Sequence, residues 1–443
     1  MQPAAVIDDQ PRTDAAKGAR SAVALLLSIN LFNYVDRYVL AAVEPDIAKS
    51  FFPNEPDSAA TLAKMGSLAT AFLVSYMITA PIFGWLADRI SRWLLVGVGV
   101  IVWSLASGGS GLANTFGILM VTRMFVGIGE AAYGPAAPTI IADLYPVNRR
   151  GSVLAWFYMA IPVGSAIGFG LGAAIGSWLG WRWAFYAVVP PGIVLGILCL
   201  MRRDPRRHTN VNSDAPKTKV TFKDYVALFR IRSFLLNTAA MTAMTFAIGG
   251  ISFWMPRYLT EVRGLPASSK IWFGAITAVA GLFATLLGGI AGDRLRNRGI
   301  GGAYFIVSAI GILIAAPCVI LMLYLPFPFA WIAAFAAVFW LFFNTGPSNT
   351  AIANVTHPSM RATAFALNIL VIHTLGDAIS PSLLGATAGT FSWNVAFFVV
   401  AAVMALAGAL WLWGARYLQA DTLAAEADPA TTERRIDDTS TRA

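Results

Sequence analysis

The chain has 443 residues, of which 57% are hydrophobic and only 12% charged, and its mean hydropathy is +0.65. A soluble protein carries roughly a quarter charged residues, so this composition excludes an ordinary soluble domain and indicates a membrane protein. The formal net charge is +9, but the basic residues lie in separate loops rather than on one face. This distribution argues against a nucleic-acid partner.

Long uncharged runs recur along the chain. Each can cross about 30 Å of hydrocarbon as a helix, the form in which a backbone satisfies its own hydrogen bonds in lipid. The predicted spans are 21–46, 62–87, 93–113, 115–144, 151–178, 182–201, 233–259, 270–292, 301–324, 328–354, 362–388 and 393–417. The predicted fold class is therefore an all-α membrane protein with twelve transmembrane helices.

A polar segment, 202–232, separates the first six runs from the last six. We interpret it as a basic cytoplasmic linker, whose end is either solvated or a short helix on the membrane surface. The predicted organisation is an N-terminal tail over 1–20, a six-helix bundle over 21–201, the linker, a second six-helix bundle over 233–417 and a C-terminal tail over 418–443.

Arginine and lysine are concentrated in alternate loops, which predicts that both termini are cytoplasmic. Residues 1–20 lack the apolar core of a cleaved signal, so we expect the first helix to be retained. The excess of arginine over lysine is typical of a bacterial protein, and hence of the cytoplasmic (inner) membrane. Cys199 and Cys318 lie in apolar runs, so we interpret them as core residues and expect no metal site and no cofactor. We expect a monomer among membrane lipids.

Two short motifs occur once in each half, in the same order: Gly84-x-x-x-Asp88-Arg89 recurs as Gly289-x-x-x-Asp293-Arg294, and Pro146-x-x-Arg149 recurs as Pro358-x-x-Arg361. Their repetition indicates an internal duplication, as in transporters built from two related halves.

The first motif resembles the loop signature G-x-x-x-D-R-x-G-R-R of the major facilitator superfamily. Arg92 also matches this signature, whereas Ser91 and Trp93 depart from it. Within the superfamily, 33–37, 123–133, 137–144 and 157–165 resemble the Spinster-like group. This resemblance implies two pseudo-symmetric six-helix bundles that alternate access to a central site, with lysophospholipids or sphingosine phosphates as substrates.

Ionisable residues inside the first-half spans are candidates for that site: Asp36, Arg37, Arg123 and Glu130. Each costs roughly 2.5–3.5 kcal/mol at the bilayer centre on insertion scales, so each requires a partner or a watery cavity. Asp36 and Arg37 point about 100° apart around their helix and therefore need different partners. Arg123 and Glu130 lie two turns apart on one helix face, which we expect to face the cavity.

We hypothesise that protons couple to transport through Asp36 and Glu130. Burial disfavours an ionised carboxylate and a nearby guanidinium favours it, so a carboxylate that exchanges partners takes up or releases a proton. Arg37 and Arg123 then hold either these carboxylates or an anionic head group. The alternative is a static ion-pair network that only fixes helix register.

Four further residues complete the predicted substrate site. In the second half, His373 and Asp377 are one turn apart on the eleventh helix, where they either pair with each other or line the cavity. Tyr133 and Tyr158 join the site from the two stretches that resemble the Spinster-like group.

A cytoplasmic gate is predicted from the repeated loop motifs: Gly84, Asp88, Arg89, Arg92, Arg149, Asp293, Arg294 and Arg361. Asp88 is placed to accept from Arg149 or from the start of the eleventh helix near Arg361, whose free N–H groups attract an acid. The alternative is simple membrane anchoring by the arginines.

These observations favour a proton-coupled secondary transporter of an amphipathic substrate with a charged head. A small soluble organic anion, such as a sugar acid, is the alternative substrate, and a non-transporting membrane receptor is the alternative class. We do not expect an enzyme, because neither G-x-S-x-G nor H-E-x-x-H occurs. Import and export are equally compatible with the sequence.

Overall fold

The structure, a computed structural model, describes residues 18–87, 89–145, 153, 156–157, 159–204, 228–356 and 360–426. Within these ranges twelve helices are long and apolar enough to cross a membrane, which confirms the predicted fold class. We number them α1 (Ala19–Phe51), α2 (Ala59–Ala87), α3 (Arg92–Leu112), α4 (Phe116–Ile141), α5 (Ala160–Leu179), α6 (Trp181–Leu200), α7 (Arg232–Val262), α8 (Ser268–Asn297), α9 (Ala303–Tyr324), α10 (Phe329–Val355), α11 (Thr363–Thr390) and α12 (Trp393–Ala425).

Several of these helices are irregular. In α4, regular helix stops at Tyr133 and resumes at Ala136, and in α10 it stops at Phe342 and resumes at Thr345. The last turn of α7, Tyr258–Val262, and the middle of α11, His373–Asp377, are π-helical. Such π turns occur frequently at functional sites.

The packing of the helices repeats with an offset of six. In the first half α1 packs on α5, α3 on α6, and both α2 and α3 on α4; in the second half α7 packs on α11, α9 on α12, and both α8 and α9 on α10. This repetition is the arrangement expected of two related bundles. The predicted boundaries of the bundles and tails stay predictions, and most of the predicted linker lies outside the described residues.

The two halves meet along two seams, α2 against α11 and α5 against α8. Small residues permit this close approach: a Cβ on Gly66 would lie 2.4 Å from the backbone carbon of Pro381, and one on Gly274 would lie 2.9 Å from the Cα of Ala166. Buried apolar side chains fill the space between helices in both halves.

The bundle has two ends, which lie on the two sides of the membrane. We call the end where α1 begins and α12 ends the terminal face. The other end, where α1 ends and α12 begins, is the opposite face.

Candidate functional site

A cavity of about 620 Å³ lies between the two halves. Residues of α1, α2, α5, α7, α8, α10 and α11 line it, and most are apolar or aromatic. Charged or titratable groups enter it at few points, among them Arg37 and Arg123 from the first half and His373 and Asp377 from the second. The cavity is therefore an apolar chamber with a polar patch on each side.

The four charges predicted in the first half form two ion pairs, which we call the central cluster. Arg37 donates from Nε to Glu130 Oε2 at 2.8 Å, and its Nη2 is 2.6 Å from the same oxygen. Asp36 accepts a hydrogen bond from Ser107 and lies 3.5 Å from Nη1 of Arg123. The neighbours Asp36 and Arg37 thus have different partners, as their angular separation requires.

Arg123 is fully buried and yet incompletely bonded. Its Nε and Nη1 have no hydrogen-bond partner among the described residues, and neither does Oδ2 of the facing Asp36. A buried guanidinium normally uses its donors, because an unmade hydrogen bond is costly once water is removed. Arg123 lines the cavity, so unused donors lie beside the chamber.

Arg37 is held among aromatic rings at the cavity wall. Its guanidinium carbon lies 5.1 Å from the ring centre of Tyr34, 4.8 Å from that of Phe72 and 5.7 Å from that of Tyr76. Such contacts attract a cation without neutralising it. Arg37 keeps a quarter of its side chain exposed, whereas its partner Glu130 is fully buried behind it.

His373 and Asp377 face the cavity from the π-helical turn of α11 and contact each other. Nδ1 of His373 is 3.0 Å from both carboxylate oxygens of Asp377. Both alternatives given by the sequence therefore coexist, because the two side chains pair and also line the chamber.

Of the two predicted tyrosines, Tyr133 lies behind the cavity wall. Its hydroxyl donates to the carbonyl of Leu26 at 2.8 Å, and its ring packs edge-on against Trp103. Tyr133 is not among the residues that line the chamber. Tyr158 lies outside the described residues.

Arg92 of the predicted gate is fully buried inside the first half. Its Nη2 is 3.0 Å from Asp204 and 2.6 Å from Asp143, and its backbone N–H also donates to Asp204. These contacts tie the start of α3 to the chain after α6 and to the end of α4. In this conformation Arg92 joins elements of one half rather than the two halves.

Two other gate residues, Asp88 and Arg149, lie outside the described residues, so the proposed pairing between them stays a prediction. Arg89 is exposed, and its guanidinium stacks 3.7 Å above the ring of Trp85. This position at a helix end suits anchoring at the membrane surface.

The repeat of the gate motif in the second half is also exposed at the terminal face. Asp293 accepts a hydrogen bond from Tyr304 at 3.0 Å, Arg294 is exposed, and Arg361 donates to the carbonyl of Thr356. A Cβ added to Gly84 would meet nothing within 4 Å. The terminal-face motif residues are thus separated from the other half where they are described.

Four charged residues near the opposite face, which no sequence motif identified, form what we call the opposite-face cluster: Glu44, Asp57, Arg257 and Lys270. Nη1 of Arg257 donates to both oxygens of Glu44, at 2.8 and 2.9 Å, and its Nη2 donates to the carbonyl of Pro56 at 3.0 Å and to Asp57. Lys270 donates to the carbonyl of Ala42. Removing one partner of such a buried pair costs about 3–5 kcal/mol.

The signal for this cluster was present in the sequence. Glu44 and Arg257 both fall inside predicted spans, but each lies near a span end, where a long side chain normally reaches the membrane surface. Only packing shows that Glu44 and Arg257 are completely buried and face each other across the two halves.

Comparison with known proteins places this geometry in context. The model of the Major Facilitator Superfamily matches residues 26–381. Protein spinster homolog 3 of Danio rerio is 36% identical over 86% of this chain and 80% of its own length. The sphingosine-1-phosphate transporter SPNS2 of Xenopus tropicalis is 34% identical over 83% of this chain and 74% of its own. A solved bacterial homologue of the human lysosomal transporter Spinster, in an inward-facing and unoccupied conformation, aligns with a TM-score of 0.77 at 22% identity, covering 94% of this chain and 100% of that one.

Proposed function

The chain belongs to the Spinster group of the major facilitator superfamily and is a multi-pass membrane transporter, and from this premise we propose that it couples proton movement to transport of an amphipathic substrate with a charged head group. The two halves alternate access to the central cavity. The substrate is of the lysophospholipid or sphingosine-phosphate type, in line with the sphingosine-1-phosphate that the SPNS2 relative transports.

The observation that carries this proposal is the buried Arg123 beside an apolar chamber. Its Nε and Nη1 lack hydrogen-bond partners in the described part of the chain, and a phosphate or carboxylate oxygen is the acceptor that a guanidinium binds best. The apolar and aromatic lining then receives the tail of the substrate. One cavity thus offers a cationic end for the head and a greasy wall for the chain.

Coupling follows from the partners of the two arginines. An anionic head group competes with Glu130 for Arg37 and with Asp36 for Arg123. A buried carboxylate that loses its guanidinium is stable only when protonated, so head-group binding drives proton uptake from water in the cavity. When the head group leaves, the arginines return to the carboxylates and the protons are released.

The halves are joined toward the opposite face in this conformation. Contacts between halves include Arg257 with Glu44, Thr70 with Ser382, and Met77 with Thr374, all from mid-membrane outward to that face. The basic loops make the terminal face cytoplasmic. We therefore assign an inward-facing state of a monomer, in a bacterial cytoplasmic membrane with both termini inside.

Reconstitution in liposomes tests substrate and coupling together. A fluorescent lysophospholipid is the probe, and its movement is followed with and without an imposed proton gradient. We expect the gradient to accelerate movement in the parent. In Glu130→Gln the gradient should have no effect, because a neutral amide cannot exchange a proton, while exchange of substrate between the two sides continues.

Glu55→Gln is the matched control, since Glu55 is an exposed glutamate at the opposite face. It should behave as the parent does. Unlabelled lysophospholipid and gluconate are then compared as competitors of the probe. Transport of gluconate without lysophospholipid would replace the substrate class, and an unchanged gradient response in Glu130→Gln would remove Glu130 from the coupling.

A further inference from the structure

The opposite-face cluster differs from the other buried ion pairs of the described residues because it joins the two halves. Glu44 belongs to α1, whereas Arg257 belongs to α7 and Lys270 to α8. The Arg257 side chain is 1% exposed and that of Glu44 is 0% exposed. The same guanidinium reaches Asp57 in the loop after α1. When the halves separate at this face, each of these contacts must break.

Charged groups surround Glu44 on several elements, but they are not equivalent. Arg257 is its direct partner, and Lys270 is the other buried cation nearby. The remaining groups, Asp46, Lys49, Asp57 and Glu261, are exposed. Asp57 keeps 70% of its side chain in solvent, so it stays ionised over the range in which a buried carboxylate changes state. Glu44 is thus the buried carboxylate of this cluster whose charge depends on the closed geometry.

We propose that Glu44 is a proton-operated latch for the opposite face: ionised and bound to Arg257 it holds the halves together, and protonated it releases them. This role rests on the proposed alternating access and adds a second proton site at the other end of the path from Asp36 and Glu130. One proton from opposite-face water adds to a carboxylate oxygen, and the ion pair with Arg257 is lost. No other bond changes.

The consequence of protonation follows from the environment of Arg257. With Glu44 neutral, a buried guanidinium keeps one full charge partner, the exposed Asp57. Opening the opposite face hydrates Arg257, whereas staying closed leaves it poorly compensated. Acid at the opposite face therefore favours the state that loads protons and substrate from that side.

The distance between labels on the two halves tests the latch without requiring transport. Asn114 and Phe391 are exposed at the opposite face, one in each half. Both are changed to cysteine and spin-labelled in a background where Cys199 and Cys318 are alanine, and the protein is placed in phosphatidylcholine liposomes. In the parent, double electron–electron resonance should show a long-distance population that grows as pH falls. In Glu44→Gln this population should be larger by about tenfold at neutral pH and should no longer respond to Glu44 protonation.

Three variants decide the outcome. Glu55→Gln should match the parent, and Arg257→Gln should also favour the long distance, which provides the test if Glu44→Gln does not fold. Glu130→Gln should retain the pH response of the latch. An unchanged distance distribution in both Glu44→Gln and Arg257→Gln would overturn the latch, as would a pH response that vanishes in Glu130→Gln but persists in Glu44→Gln. Loss of gradient-driven transport with an intact distance response would instead count against the proposed function alone.

Discussion

The central cluster and the opposite-face cluster are built from the same residue types and differ in what they connect. In the central cluster, Asp36 and Arg123, like Arg37 and Glu130, lie within one half. In the opposite-face cluster, Glu44 and Arg257 belong to different halves. Pairs within a rigid half persist when the halves rotate, so they respond to what occupies the cavity. A pair between halves responds to the conformation itself.

Bonding within the two clusters differs in the same sense. Glu44 receives two hydrogen bonds from Arg257, whereas Arg123 and Asp36 leave donors and an acceptor unused in the described chain. A complete set of bonds stabilises one state, and an incomplete set leaves capacity for a ligand. The comparison therefore separates a binding site from a lock.

The largest expected effect breaks the pair of Asp36 with Arg123. Arg123→Gln leaves a buried carboxylate without its cation and should lower the free energy of unfolding by about 3–5 kcal/mol. The double variant Asp36→Asn with Arg123→Gln should recover most of that loss, because neither charge remains. Chemical unfolding in detergent measures both.

Transport separates function from stability in this double variant. A static network predicts that the double variant transports normally once it is stable. We expect the opposite, namely that gradient-driven transport is lost in Asp36→Asn, Arg123→Gln and the double variant alike. Full activity of the double variant would contradict a role for the central cluster in binding and coupling.

A smaller effect is expected where the halves touch without charges. In Gly66→Ala the new Cβ would lie 2.4–2.5 Å from backbone atoms of Pro381 and Ser382, and overpacking of this kind costs about 1–3 kcal/mol. The strain exists only while α2 and α11 are in contact, so the Asn114–Phe391 label distance should lengthen. Gly289→Ala is the control because nothing lies within 4 Å of its Cβ; equal distances in both variants would refute the seam as a determinant of closure.

The smallest effect is expected for the exposed pair between halves. Lys49 lies 2.7 Å from Glu261, with half of the Lys49 side chain in solvent. Exposed pairs contribute about 0–1 kcal/mol and are screened by salt. Lys49→Ala should barely change the label distance, and any change should disappear at high ionic strength. A shift as large as that of Glu44→Gln would show that burial is not what distinguishes the latch.

Much of the architecture could be predicted from the amino-acid sequence. The twelve helices follow from the length of the apolar runs, because lipid imposes one solution on the backbone. The central charges were selected for the same reason, since Asp36 and Glu130 interrupt otherwise apolar runs. Their partners followed in part from helix geometry, which separates Asp36 from Arg37.

What a residue faces could not be predicted in the same way. Tyr133 was expected at the substrate site, but its hydroxyl bonds to the carbonyl of Leu26 behind the cavity wall. Arg92 was expected at a gate and is buried against Asp204 within one half. Rotation of a helix by one residue moves a side chain by about 100°, and a single sequence does not fix that rotation.

The sequence by itself determined that this chain crosses the membrane twelve times as two related sets of helices, and it identified the charges that need partners. Both results come from the exclusion of water by lipid, which acts on every residue according to its own chemistry. Only the tertiary structure decided that Glu44 meets Arg257 across the halves and that Arg123 has donors to spare. Those facts depend on how distant helices pack, and packing is a property of pairs of surfaces rather than of single residues.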